Sequence, residues 1–318
     1  MTTNAPDHLQ RSIGARQLSM IAIGGAIGTG LFLASGGAIA QAGPGGALLA
    51  YAIMGAAVYC MMQSLGEMAT QLPIAGSFET YAERFVDPSL GFALGWNYWF
   101  SWSITLAAEL VAGSLIVRFW FPDSNPSLWA MGFLALLMAL NLLTVKAYAE
   151  AEYWFAGIKV ATVLIFLVVG VLMILGLLGS GHAVGFANWH LVDAATGKSA
   201  PFVGGITAIL LVFLVAGFSF QGTEAVGLAA AEAADPEKNV PKAINSVFWR
   251  ILLFYIGAMA VIGFLIPFND PNLLRSGEEN IAYSPFTIVF QHLPGIGNWA
   301  ANLMNFVILS AVDRKSVV

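Results

Sequence analysis

Charge is what this sequence has least of. Only 10% of its 318 residues are Asp, Glu, Lys or Arg, against about 25% in an ordinary soluble domain. With a mean hydropathy of +0.78, that deficit excludes a soluble globular fold and indicates an integral membrane protein. Cysteine is nearly absent. The single Cys60 rules out a disulfide framework within the chain, and its apolar setting reads as a small packing residue. His8, His182, His190 and His292 are scattered singly through tails, loops and span ends, so no metal-ligand spacing arises. There is no Gly-rich loop followed by Lys-Ser/Thr to cradle a phosphate, and no basic face for nucleic acid. Polar residues do not converge at one interface as a membrane enzyme would need. No cleavable signal peptide is read, because the first apolar run is too long and follows a polar N-terminus. The net charge of −5 is spread over loops and specifies no partner.

What fills the chain instead is apolar runs. Eight are long enough to be membrane spans, at about 18–40, 45–70, 91–119, 126–145, 153–178, 203–231, 247–267 and 285–312. All are helical candidates, since nothing alternates as a barrel strand does. Trp120, Trp129, Trp154, Trp189 and Trp249 lie near span ends, as interfacial anchors do. Residues 1–17 read as a cytoplasmic tail. With the N-terminus inside, the inner segments hold Arg11, Arg16, Arg84, Lys146, Lys238, Lys242 and Arg250. The outer ones hold Arg118, Lys198 and Arg275. This excess of inner cations favours a cytoplasmic N-terminus.

Two spans are interrupted. The first reads IAIGGAIGTGLF from Ile21 to Phe32, with Gly24, Gly25, Gly28 and Gly30 crowded together. Each glycine inside a helix costs roughly 1 kcal/mol relative to Ala, so the run predicts a helix that unwinds. Unwound backbone is tolerated in a bilayer only where protein buries it or a cavity is lined by it. The alternative is close helix packing through small residues. The sixth span, LVAGFSFQGTEAVGLAAAEA, carries Gly217, Gly222 and Gly227. Sliding Gly28-Thr29 onto Gly222-Thr223 also sets Ala22 on Ala216, and Pro44 and Pro236 open the segments that follow. Paired interrupted helices at corresponding places in two inverted halves point to a secondary-transporter binding site. A free amino acid could meet amide donors at one half-helix end and carbonyl acceptors at the other.

The stretches SMIAIGGAIGTGLFLASGGAIAQAGPGGALLAY, GEMATQLPIAGSFETYAERFVDPSLGFALGWNYW, GFSFQGTEAVGLAAAEAADPEKNVPKAI and VFWRILLFY resemble the amino acid permeases of the amino acid–polyamine–organocation superfamily. AEYWFAGIKVATVLIFLVVGVLMI and FQGTE are most similar to its bacterial lysine-specific permeases. The resemblance runs from Gln17 to Val312. It implies an all-α integral membrane fold of five spans plus an inverted five, with helices one and six broken. On that plan residues 18–178 form the first repeat and residues 179–312 an incomplete second one, comprising spans six to eight. It also implies proton-coupled uptake across the inner (plasma) membrane, with the proton as coupling ion and no other cofactor. The ending DRKSVV departs from the family, and residues 313–318 are expected to be a truncation artefact.

Ionisable residues inside spans are functional candidates by default. Glu109 lies mid-span, where it could carry the coupling proton, meet a cationic side chain, or stay as a protonated helix contact. Lys159 could snorkel to the interface. The resemblance implies instead a buried ammonium facing span one, where sodium-coupled relatives of the fold hold a cation. Glu224 follows the break in span six and either faces a substrate ammonium or caps the second half-helix. Glu232 belongs to the inner gate or to ADPEKNVPKAI, which reads as a solvated elbow. Phe218 and Phe220 flank the break, and one of them closes over a substrate or both simply pack. Trp96, Tyr98 and Trp102 read as packing or interface. The amides around Gly28, Thr29 and Gly30 are expected to receive a substrate α-carboxylate. Carbonyls near Ile23 and of Phe218 and Ser219 are expected to receive its α-ammonium. Two carboxylates, Glu109 and Glu224, favour a cationic substrate, and the resemblance points to lysine. The alternatives are a neutral, aromatic or γ-amino acid, or a transporter-like amino acid receptor. Oligomeric state is left open.

Overall fold

The computed structural model describes residues 14, 16, 18, 20, 27–141, 145–179, 181–274 and 284–311. Ile23, Gly24 and Gly25 of the first interruption lie outside the described residues, as do His8, Arg11, Arg275 and the atypical tail 313–318. Among the described residues the chain is helical, with one isolated antiparallel bridge between Val192 and Ser199. Five of the helices among the described residues are long and apolar enough to cross a membrane.

A π-helical turn, Gly30–Ala34, leads into α1, Ser35–Gln71. The expected gap between spans one and two appears as a bend inside this hydrogen-bonded run. Gly43 takes φ 76° and ψ 171°, outside helical space, and Pro44 follows without a donor. The bend is clamped from outside: the amides of Gly45 and Gly46 donate to the Pro201 carbonyl at 2.9 and 3.2 Å. The Val203 amide in turn donates to the Ala42 carbonyl at 2.9 Å.

A short amphipathic helix, α2 (Phe78–Phe85), packs against α3 (Pro88–Val117), which Asp87 caps by accepting from the Ser89 amide at 2.8 Å. Next come α4, Pro126–Asn141, and α5, Val145–Ile174. Span six divides as the glycines predict. Helix α6, Gly205–Phe220, stops at a non-helical turn, and α7, Ala225–Ala229, resumes after it. Gly222 sits at φ 90° in that turn, a left-handed conformation that glycine adopts without steric cost.

The solvated elbow expected at ADPEKNVPKAI is corrected: Pro236–Arg250 is a helix, α8, with Val240, Ala243, Ile244 and Val247 buried. Pro236 occupies its first turn, where the missing donor costs nothing. The helix runs on through a π segment, Ile251–Gly257, into α9, Ala258–Leu265. Span eight is also corrected. After α10 (Pro271–Leu274), the expected run 285–312 falls into α11, Pro285–Gln291, and α12, Gly297–Ala311. Gly295 between them takes φ 78° behind Pro294. Helix α1 packs on α6, α8 and α9, and α5 packs on α9 and α12, so the two interruptions meet at the centre.

Candidate functional site

The interruption in span one ends at Ile27 and Gly28, which are non-helical and buried. The Gly28 carbonyl accepts from the amides of Leu31 and Phe32 at 3.1 and 3.0 Å, winding the π turn that follows. Next door, the Thr29 hydroxyl donates to Glu109 Oε1 at 2.7 Å. Both residues are buried, at 6% and 1% exposure. Gly30 then touches span six: a Cβ added there would lie 2.6 Å from the Ser219 Cα. The break and the close small-residue contact are therefore one feature.

Ser219 is buried and fully engaged. Its hydroxyl donates to the Val215 carbonyl at 2.9 Å and lies 2.8 Å from the Tyr51 hydroxyl. Its carbonyl accepts from the Tyr255 hydroxyl at 3.0 Å, and the Phe218 carbonyl accepts from the Gln221 amide at 3.2 Å.

The turn after α6 is held from three sides. Glu224 Oε2 accepts from the Gly222 amide at 2.8 Å, and Oε1 accepts from the Tyr98 hydroxyl at 3.2 Å. Gln221 bridges to α3: its Oε1 accepts from the Thr105 hydroxyl at 3.0 Å and its Nε2 donates to Ser101 Oγ at 3.1 Å. The Thr223 hydroxyl donates to the Phe220 carbonyl at 2.6 Å and accepts from Arg250 Nη2 at 2.7 Å.

A cavity of about 630 Å³ opens beside this turn. Met54 and Val58 of α1, Phe78 of α2, Tyr98 of α3, Phe220 and Glu224 form its wall next to the break. The Tyr98 ring packs edge-on against Phe78, with centroids 5.0 Å apart, and against Trp102 at 5.9 Å. The Phe220 ring lies 4.3 Å from that of Tyr255. The arrangement is an apolar chamber with a carboxylate at one side.

Thr29, Gly30, Ser219 and Glu109 thus form one cluster, while Phe220 and Glu224 face the cavity. Phe218 is half-buried and lies outside the cavity wall. Lys159 is 1% exposed on α5, so it does not snorkel. A Cβ on nearby Gly157 would lie 3.5 Å from Met20 Cε, placing this part of α5 against the start of span one.

Three readings are corrected. Tyr98, taken as packing or interface, hydrogen-bonds Glu224. Arg250, counted among the cations of the inner segments, is 1% exposed inside the protein. Cys60, taken as a packing residue, is exposed on α1. Sequence reasoning also passed over Thr105 and Gln221, which look like ordinary polar residues in apolar runs. A signal existed for Gln221, which stands beside Gly222 at a predicted break, although its side chain ties the turn to α3 rather than to the unwound backbone.

Residues 17–313 match the protein family described as amino acid permease. The chain is 51% identical over 311 residues to the lysine-specific permease LysP of Escherichia coli (strain K12), an alignment covering 98% of this chain and 62% of that protein. It is 49% identical over 313 residues to LysP of Lactococcus lactis subsp. cremoris (strain MG1363), covering 96% and 59%. It is also 49% identical over 306 residues to the histidine permease HisP of the same organism, covering 96% and 62%. The chain spans about 60% of the length of these curated relatives. All three are named permeases, which are transporters rather than enzymes.

Proposed function

The chain belongs to the amino acid permease family and is a multi-pass helical membrane protein. On that premise we propose that it binds L-lysine for proton-coupled uptake into the cytoplasm, from a plasma membrane in which its N-terminus faces inward. One observation carries the substrate reading: Glu224 stands at the edge of a chamber walled by Met54, Val58, Tyr98 and Phe220. A lysine side chain is an apolar stem ending in a compact, strongly hydrated ammonium. Apolar walls suit the stem, and a carboxylate offsets the desolvation of the head.

The shared backbone of amino acids is bound separately, at the cluster formed by the two breaks. The amides of Gly28, Thr29 and Gly30 receive the α-carboxylate. The carbonyls of Ile23, Phe218 and Ser219 receive the α-ammonium. Glu109, bonded to Thr29, and Lys159, buried against the start of span one, are the coupling residues. Protonation of Glu109 removes a negative charge beside the site for the α-carboxylate, which links proton and substrate. No sodium is needed on this reading. The likeness to HisP supports a second one, in which Glu224 meets an imidazolium.

Competition against labelled lysine, with the chain in proteoliposomes, decides between them. Arginine, ornithine and S-aminoethylcysteine should be the strongest competitors, and histidine weak. Glu224→Gln should weaken lysine at least about tenfold, the loss of roughly 1.4 kcal/mol, and leave neutral ligands unaffected. Equal competition by neutral amino acids, or unchanged lysine affinity in Glu224→Gln, refutes the cationic pocket. Initial rates should not change as sodium is stepped from zero to saturating at constant pH; a steep rise refutes proton coupling.

A further inference from the structure

Arg250 heads the fully buried side chains of the described residues by size. It ends α8 within Pro236–Leu265, one of the segments able to cross a membrane. A guanidinium does not shed its proton, so a full positive charge resides in the protein interior. A well-packed apolar side chain of similar volume is often as stabilising as a buried charge, or more so. Stability alone therefore does not account for an arginine here.

Its contact does. Arg250 Nη2 donates to Thr223 Oγ1 at 2.7 Å, and that hydroxyl in turn donates to the Phe220 carbonyl at 2.6 Å. Glu224 fastens the other side of the turn through the Gly222 amide. The first interruption repeats the device with the sign reversed. Thr29, which corresponds to Thr223, donates its hydroxyl to buried Glu109 of α3. Each break is thus held at its threonine by a buried ionisable group from another helix: an acid at span one, a base at span six.

We infer that Arg250 is a positioning residue. Through Thr223 it fixes the non-helical turn Gln221–Glu224, and so sets where Phe220 and Glu224 stand toward the chamber. That the chamber takes a substrate rests on the function proposed above; that Arg250 orders the turn does not.

Hydrogen exchange of the chain in lipid nanodiscs tests it without any ligand. Thr223→Val and Arg250→Met should each speed exchange of the amides at residues 222–225 by about tenfold or more. The double variant should be no faster than the singles, because both remove one linkage. Thr223→Ser, which keeps the hydroxyl, should exchange as the wild type does, whereas a mere packing role would leave a gap there. Unchanged exchange at residues 222–225, additive effects, or an equal rise throughout α3 and α5 overturns the inference. If Arg250→Met does not fold, Thr223→Val and Thr223→Ser decide alone. Lysine binding adds an independent readout: Thr223→Val should weaken it about tenfold and Thr223→Ser should not. A wild-type chain that binds no lysine refutes the proposed function, and the exchange results still decide the role of Arg250.

Discussion

Where Gly30 has a hydrogen, any other residue would put a carbon 2.6 Å from the Ser219 backbone. Gly30→Ala must push spans one and six apart, at a cost of about 1–3 kcal/mol as in other overpacked interiors. Gly37, about two turns on, has nothing within 4 Å of such a carbon. Gly37→Ala should stabilise by up to about 1 kcal/mol. Thermal unfolding midpoints in nanodiscs should therefore move in opposite directions for the two substitutions; movement in the same direction contradicts the assigned contact. This pair shows what was legible at the residue scale. The crowding of glycines marked the place, and Thr29 and Glu109 were both singled out. Whether a given glycine serves an unwound turn or a close approach depends on a partner far along the chain, which spacing within one span does not contain. Arg250 was misread for the same reason: its partner Thr223 lies in the turn between α6 and α7, far from it along the chain.

Helix α11 illustrates the scale of elements. The Ser284 hydroxyl donates to the Phe32 carbonyl of the π turn at 2.6 Å, and Phe286 packs edge-on against Phe32 with centroids 5.0 Å apart. Both Ser284 and Phe32 are fully buried. Ser284→Ala removes this buried hydrogen bond and should cost about 0.5–1.5 kcal/mol, seen as faster exchange of the amides in residues 30–34. Unaltered exchange there would remove the strap. The sequence reading merged α11 with α12 because apolar residues flank the junction on both sides, and the turn at residues 292–296, with Pro294 and Gly295, separates them. It lost α8 for the opposite reason, since two prolines and several charges outweighed the buried stripe Val240, Ala243, Ile244 and Val247. The loop between α5 and α6 offers a pH test. Asp193 accepts from the Thr196 hydroxyl and from the Ala195 amide at 3.1 Å, and these bonds hold its carboxyl below the usual range. A depressed carboxyl stabilises above its unfolded value of roughly 3.9 and loses that contribution as pH falls through the folded value. Proteolysis of this loop should rise below about pH 4, and Asp193→Asn should abolish that pH dependence.

For the whole molecule, the membrane class was fully legible because composition alone fixes it. Which side of each helix faces the protein was not. In water an apolar stripe marks the buried face, but in lipid both faces are apolar and the contrast vanishes. Trp96, Trp99, Phe100 and Leu214 are all exposed on the surface and would read as core in a soluble helix. Cys60 shares that outward orientation. A charged reagent does not enter hydrocarbon without a large desolvation cost. In membranes a hydrophobic maleimide should label it only slowly and a charged, impermeant one not at all, while denaturation in detergent should make both fast. Rapid labelling of the intact protein by the charged reagent would place Cys60 in water instead.

The clamp at Gly43 has a mechanical consequence. Ala42, Gly45 and Gly46 are tied to Pro201 and Val203 by three backbone hydrogen bonds, so the corner after span one and the entry to span six form a welded joint. Any rocking of one arm drags the other with it. The compliance of the molecule then resides at the two breaks, near Gly28 and at Gln221–Glu224, where helical bonding is interrupted. They act as paired elbows on a common shoulder, with the chamber beside the second of them. On the uptake proposed above, a covalent staple across the shoulder should leave transport intact, whereas one across the elbows should stop it; uptake measured before and after cleaving each staple distinguishes the two.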